Sequence, residues 1–247
     1  MSGHSKWSTI KRKKGALDAK RGKIFTKLIK EITVSVKEGG DDPEGNPRLR
    51  MAIQNAKGKN MPKDTIERAI KKGSDTGGAN YQDLTYEGYG LNGVAIYIEC
   101  TTDNLNRTVA DVRSIFSKNG GSLGTNGSLE FIFDRKGIFV VPTPEGVDED
   151  ELTLELIDGS AEDVVFEEGV FTASCAMEDF GALQAKITNL HMEPESAGLQ
   201  RVPNTFVSLS DEIFPKVMKL IDALEDNDDV QQVYHNIEAS DAQLATL

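Results

Sequence analysis

Ten of the first thirty residues are cations: Lys6, Lys11, Arg12, Lys13, Lys14, Lys20, Arg21, Lys23, Lys27 and Lys30. They stand against one acid, Asp18. A solvated helix face normally interleaves acids with its bases, and here the acids are missing. Neutralising phosphates, with release of their condensed counterions, is the chemistry that suits such a run. Trp7, the only tryptophan, sits among these charges. It either stacks on a base or pins the tail to the helices behind it. Trp7 and the ten cations are the candidate nucleic-acid contacts.

The other candidates for chemistry read as structure. Gly88-Tyr89-Gly90-Leu91-Asn92-Gly93 is a literal G-x-G-x-x-G. A dinucleotide site needs that motif to open a helix, whose N–H groups then face the pyrophosphate. Here it precedes a strand, so a tight turn is expected. Lys136-Gly137-Ile138-Phe139-Val140 partly echoes an RNA-binding octamer, but Ile138 and Val140 stand where stacking aromatics belong. A core strand is expected there. Cys100 and Cys175 extend apolar alternating faces and read as buried small hydrophobes. No cation or base is placed to activate either thiol. His4, His191 and His235 are scattered without metal-ligand spacing. The carboxylates of Asp148–Glu151 and of Glu225-Asp226 and Asp228-Asp229 read as helix ends and solvated faces, with weak divalent-cation binding the lesser alternative. No nucleophile–base pair and no phosphate loop assembles. The expectation is a protein that is not an enzyme and takes no cofactor.

The whole chain of 247 residues carries a net charge of -12, which alone argues against a polyanion binder. The mean hides a split. Residues 1–73 hold 19 Lys and Arg against 8 Asp and Glu, a net of +11. The remainder holds 9 against 32, a net of -23. Screening acts over roughly 8 Å at physiological ionic strength, so a basic end can meet a polyanion without feeling most of the distant acids. No apolar run is long enough to span a membrane. The N-terminus shows no apolar signal-peptide region. Two cysteines cannot staple a chain of this length, so a reducing cytoplasm is expected.

The elements that position the cations are helical. Leu17, Ile24, Leu28, Ile32 and Val36 lie on one arc of a helical wheel, and Lys20, Lys23, Lys27 and Lys30 lie opposite. Val34 falls on the lysine side and Arg21 on the apolar side. The lysine row spans roughly 15 Å, enough to track two or three phosphates. Gly39–Gly40 stops this helix. Pro47 and then Pro62 with Asp64 start two more. Ser74–Gln82 reads as a linker.

Beyond it the period turns alternating. Strands are expected at Val94–Cys100, Leu129–Phe133, Ile138–Val141, Val164–Glu167, Val170–Ala176, around Gly198–Val202, at Phe206–Leu209 and at Val230–Ile237. Four helices fall between them, two with apolar spacings of four, three, four: Leu105, Val109, Val112, Phe116, and Ile213, Val217, Leu220, Leu224. From Glu238 a loose tail is expected. Residues 136–203 make a complete split βαββαβ unit. The flanking halves, 83–135 and 204–240, make a second one if the first is inserted into it. Two consecutive domains would leave each sheet incomplete. The expected fold is therefore multi-domain, α and α+β. A basic helical domain, 1–76, precedes two ferredoxin-like split βαββαβ domains, one inserted in the other.

Several stretches are similar to the YebC/PmpR family. They are Gly3-His4-Ser5-Lys6-Trp7, Asp18 through Lys27, Asn46-Pro47-Arg48-Leu49-Arg50 and Tyr86-Glu87-Gly88-Tyr89-Gly90. Thr102-Asp103-Asn104 with Asn106-Arg107-Thr108, Gly120 through Gly124, and Leu224 through Tyr234 also match. The resemblance runs from residue 3 to about 240. It implies a helical N-terminal domain and two α/β domains, and a cytoplasmic DNA-binding transcriptional regulator. Mitochondrial relatives act as translational activators. Bacterial members are linked to the ribosome and to elongation through proline-rich stretches. It implies no catalytic residues.

Two polyanions fit the cations: DNA, for a transcription regulator, and ribosomal RNA, for a ribosome-associated translation factor. Phosphate contacts carry no sequence information, and no clear helix-turn-helix spacing favours a groove reader. No membrane partner is expected, and a monomer is the working assumption.

Overall fold

Val94, Ile96, Ile98 and Cys100 alternate, so they turn one face of a strand into an apolar core, while Ala95 and Tyr97 are buried on its other face. The computed structural model describes residues 21–75, 77, 80–167 and 169–246. Three helices come first: α1 (Arg21–Gly39), α2 (Pro47–Gly58) and α3 (Lys63–Ser74). Then follow β1 (Gln82–Tyr89), β2 (Ala95–Thr102), α4 (Leu105–Lys118), β3 (Ser122–Leu123), β4 (Phe133–Pro142) and α5 (Glu149–Asp158). After them come β5 (Asp163–Glu167), β6 (Val170–Ala176), α6 (Phe180–Asn189), β7 (Ser196–Pro203) and β8 (Val207–Ser208). The chain closes with α7 (Phe214–Glu225), β9 (Val230–His235), β10 (Ile237–Glu238) and α8 (Asp241–Leu244). The described residues fall into two compact units. One is drawn from 21–27, 80–134 and 201–246, the other from 28–75, 77, 135–167 and 169–200.

In the first unit this apolar face of β2 meets α4 and α7. Ile96, Ile98 and Cys100 pack with Val112 and Phe116, and with Val217, Leu220, Ile221 and Leu224. The sheet order is β3-β1-β2-β9, with β2 antiparallel to both its neighbours. Counted from β2, this is the neighbour order of a split βαββαβ sheet, but with a different chain path. The place expected for Phe206–Leu209 is taken by β1, a strand that the alternation of apolar residues did not reveal. Gln82, Asp83, Thr85, Glu87 and Gly88 dilute its pattern. Of the segment Phe206–Leu209 only Val207–Ser208 is strand, and it pairs in parallel with β10.

The expected strand Leu129–Phe133 is mostly turn, and the reason is a carboxylate. Glu87 is buried on β1 and accepts hydrogen bonds from Gly127 N (2.7 Å), Leu129 N (2.6 Å) and Ser128 Oγ (3.3 Å). Those amides are thus unavailable to a ladder. Leu129 is buried, Phe131 is exposed, and Phe133 opens the longer strand β4. Leu105, at the first position of α4, is exposed rather than on the core arc.

The second unit holds a complete split βαββαβ sheet, order β5-β6-β4-β7. Phe139, Val141, Phe171, Ala173 and Cys175 pack against Leu152, Leu156, Leu183 and Ile187. Met51 of α2 joins this core, and Asn55 brackets Ala197 of β7, donating to its carbonyl (3.0 Å) and accepting from its amide (2.9 Å). From Ile32 to Val36 the α1 helix is buried all round, which explains why Val34 breaks the two-faced wheel. A side chain at Gly73 would collide with Val36 and the Thr33 carbonyl, so glycine there lets α3 lie close on α1.

The tail is not loose. Ser240 and Gln243 form a capping box at α8, and Leu244 enters the first core. Gln243 is buried and its Nε2 donates to the Leu209 carbonyl and to Asp211 Oδ1, both at 2.9 Å. Replacing Gln243 with Ala should cost about 1–3 kcal/mol, the usual penalty for stranding a buried acceptor. Urea unfolding reads this as a lower midpoint at unchanged m.

Candidate nucleic-acid interface

Lys6, Trp7, Lys11, Arg12, Lys13, Lys14 and Lys20 lie outside the described residues. Arg21 is the first residue of α1. Lys23 and Lys27 are described in full, one turn apart on α1, and both are engaged. Lys23 Nζ pairs with Asp226 Oδ1 at 2.9 Å. Lys27 Nζ donates to the Glu225 carbonyl at 2.9 Å. Burial lowers the Lys27 pKa, and the charges of Glu225 and Asp226 oppose that shift. Lys30 follows at the next turn and is half-buried.

Glu225 and Asp226 end α7, where carbonyls lack intrahelical partners and the helix dipole is negative. The last turn of α7 carries no cation of its own. Lysines from α1 supply it. The turn that follows is fixed from the other side by Asp229, a buried carboxylate. Arg107 Nη2 reaches Asp229 Oδ2 at 2.7 Å and Oδ1 at 2.9 Å, Arg107 Nε reaches Oδ2 at 3.1 Å, and Thr108 Oγ1 donates to Oδ2 at 2.8 Å. Arg107 also pairs with Asp103 at 2.9 Å. Hydrogen bonds to Asp229 and then Asp103 raise the guanidinium pKa. Asn104 caps α4 by accepting from Arg107 N. Three motif stretches far apart in sequence thus meet at one junction: the Lys23–Lys27 turn, Thr102–Thr108, and Glu225–Asp229.

Basic side chains missed as candidates lie on α2, at its C-cap and on α3. Arg50, Lys57, Lys59, Lys71 and Lys72 are exposed. The signal for them was the +11 of residues 1–73, which does not stop at Lys30. Arg48 belongs to the scaffold instead, bridging Glu31 (2.8 Å) and Glu38 (2.6 Å) beside the Asn46 cap of α2.

The alternative chemistries meet structural roles. Gly90 to Gly93 turn β1 into β2 through a single 3-10 turn, Leu91–Gly93, with Asn92 at φ 56° and Gly93 at φ 74°, so no α-helix opens at the glycine motif. Gly137 and Phe139 lie in the second core, where a side chain at Gly137 would meet Cys175 Sγ and Phe180. Cys100 and Cys175 are buried free thiols, and desolvation pushes Cys175 up to about 11. Among the described residues no three His, Cys, Asp or Glu side chains group as metal ligands. No described helix is long and apolar enough to cross a membrane.

Replacing Asp229 with Ala should lower stability by about 1–3 kcal/mol, through loss of the Thr108 and Arg107 bonds at a buried site. A denaturant titration checks it. Both thiols should resist a disulfide exchange reagent in the native state at mild pH and react only as the chain unfolds. The unfolding curve should respond to pH in a set direction. Because the folded Cys175 pKa lies above its ordinary value, its contribution to stability falls as pH rises from about 9 toward 11.

Comparison with known proteins places this geometry. Residues 5–76 match the family model of the TACO1/YebC protein N-terminal domain, and residues 81–237 match that of the TACO1/YebC second and third domain. A relative from Amoebophilus asiaticus, named "Probable transcriptional regulatory protein", is 58% identical over 96% of this chain and 98% of its own. One from Idiomarina loihiensis with the same description is 52% identical over 100% and 99%. The crystal structure of a conserved hypothetical protein from Aquifex aeolicus has a TM-score of 0.82 at 44% identity, covering 91% of this chain and 93% of that one.

Proposed function

The chain belongs to the TACO1/YebC family, and from that premise we propose that it is a non-enzymatic regulator that binds nucleic acid through its basic N-terminal residues. The carrying observation is the charge split: 19 cations against 8 acids in residues 1–73 of a chain whose net charge is -12. The names of the relatives favour transcription and hence DNA. The contacts assigned are Lys6, Trp7, Lys11, Arg12, Lys13, Lys14, Lys20, Arg21, Lys23, Lys27 and Lys30. The site of action is the cytoplasm. The proposal keeps three domains, 1–76, 83–135 with 204–240, and an inserted 136–203. Excising 136–203 behind a short Gly-Ser link should leave a folded β3-β1-β2-β9 sheet, read by circular dichroism and melting. Loss of cooperative unfolding counts against the insertion.

Gel shift on promoter DNA, run beside cosedimentation with ribosomes at the same salt, tests the function. If about five phosphates are neutralised, log K for duplex DNA should fall with log salt at a slope of about −4.5. Deleting residues 1–20 should remove most of that affinity and flatten the slope, while the described fold remains. Undiminished binding by the truncated chain rejects the proposal. Cosedimentation without a DNA shift moves the partner to ribosomal RNA.

A further inference from the structure

Two lysines of the proposed phosphate-binding row already hold an anionic site inside the molecule. Lys23 grips the Asp226 carboxylate and Lys27 the Glu225 carbonyl. The site they grip is rich in carboxylates. Asp222, Glu225, Asp226, Asp228 and Asp229 place five carboxylates within eight residues. They stand at the negative end of a helix with no cation in its last turn. Like charge at that end is unfavourable, so the turn requires cations from elsewhere. Arg107 clamps Asp229, which holds the acidic turn in place as a fixed receptor rather than a flexible tail.

We propose that the acidic end of α7 is an autoinhibitory competitor for nucleic acid: it occupies Lys23 and Lys27, and a polyanion must displace it to use them. This rests on the reading that the N-terminal cations bind phosphates. The two contacts differ in how readily they exchange. The Lys23–Asp226 pair is half-exposed on both sides, at 47% and 53%, and an exposed pair contributes little to stability. Lys27 is more enclosed and reaches a carbonyl at the end of α7. A phosphate therefore takes Lys23 first, and Lys27 follows only when the last turn of α7 frays. The acidic turn thereby raises the threshold for weak polyanions, because a ligand must offer enough phosphates to outcompete it.

The test uses the full chain, a labelled mixed-sequence RNA strand and a DNA duplex, read by anisotropy at two salt concentrations. Asp226→Asn should bind about two- to fivefold tighter than the unchanged chain, the scale set by one exposed ion pair. Asp226→Glu should restore the original affinity. In a Lys23→Gln background, Asp226→Asn should bring no gain. A second readout needs no variant: on adding the bound probe, the amides of Asp226 and Asn227, which close the last turn of α7 on Asp222 and Leu224, should exchange hydrogen faster. If the unchanged chain binds but Asp226→Asn binds equally and those amides keep their protection, the competition is wrong and the nucleic-acid reading stands. If neither chain binds either probe, the nucleic-acid reading itself falls, and the competition with it.

Discussion

A carboxylate removed from water must be paired or hydrogen-bonded, and Asp229 is such a group. Its oxygens take Arg107 and Thr108 from the first turn of α4, and its own carbonyl accepts from Thr101 N at the end of β2 (2.8 Å). One residue therefore ties the end of the central strand, the start of one helix and the turn out of another. With the turn fixed, the end of α7 has a fixed direction, and Glu225 and Asp226 are presented where Lys27 and Lys23 can reach them. Arg107 stays half-exposed, so the pair avoids the full desolvation penalty of two buried charges while Asp229 still has a partner.

The opposite end of the same sheet is governed by close approach. A side chain at Gly88 would lie 2.7 Å from the Phe116 ring and from the Ser122 carbonyl, and one at Gly121 2.7 Å from the Tyr89 carbonyl. Glycine at both lets β3 pair with β1 directly over a buried phenylalanine. Gly120, at φ 75°, turns the chain out of α4 to make this possible. The first glycine of the motif that echoes a dinucleotide site, Gly88, thus serves backbone packed against an aromatic ring.

How much of this was legible depends on whether a pattern repeats. The strand Val170–Ala176 and the helices around Val112–Phe116 and Val217–Leu224 follow from apolar spacing alone, since each buries one face. β1 was hidden because its second face carries Glu87, and a buried carboxylate reads as exposed in any alternation. The same carboxylate turned the expected strand Leu129–Phe133 into a loop. The docked tail was hidden because Gln243, polar and near a terminus, acts through two hydrogen bonds rather than through area. At the candidate site, the charge run was plain from composition. That Lys23 and Lys27 are occupied was not, because their partners lie about two hundred residues away.

On the proposed reading of the N-terminal cations, the charge split has a physical use beyond attraction. Non-specific affinity for a polyanion rises steeply with each phosphate neutralised, so a segment with ten cations in thirty residues would bind any nucleic acid in reach. A distant acidic body cannot prevent this, since screening confines its field to about 8 Å. Only acids in contact with cations can, and the end of α7 is in contact with two of them, Lys23 and Lys27. Those acids must also be held rigidly, or they would swing away at little cost, and the Arg107–Asp229 clamp holds them. On the proposed reading, the carboxylates at the C-terminal end of α7, unfavourable for that helix alone, are offset in part by Lys23 and Lys27, the same lysines that a phosphate backbone would take.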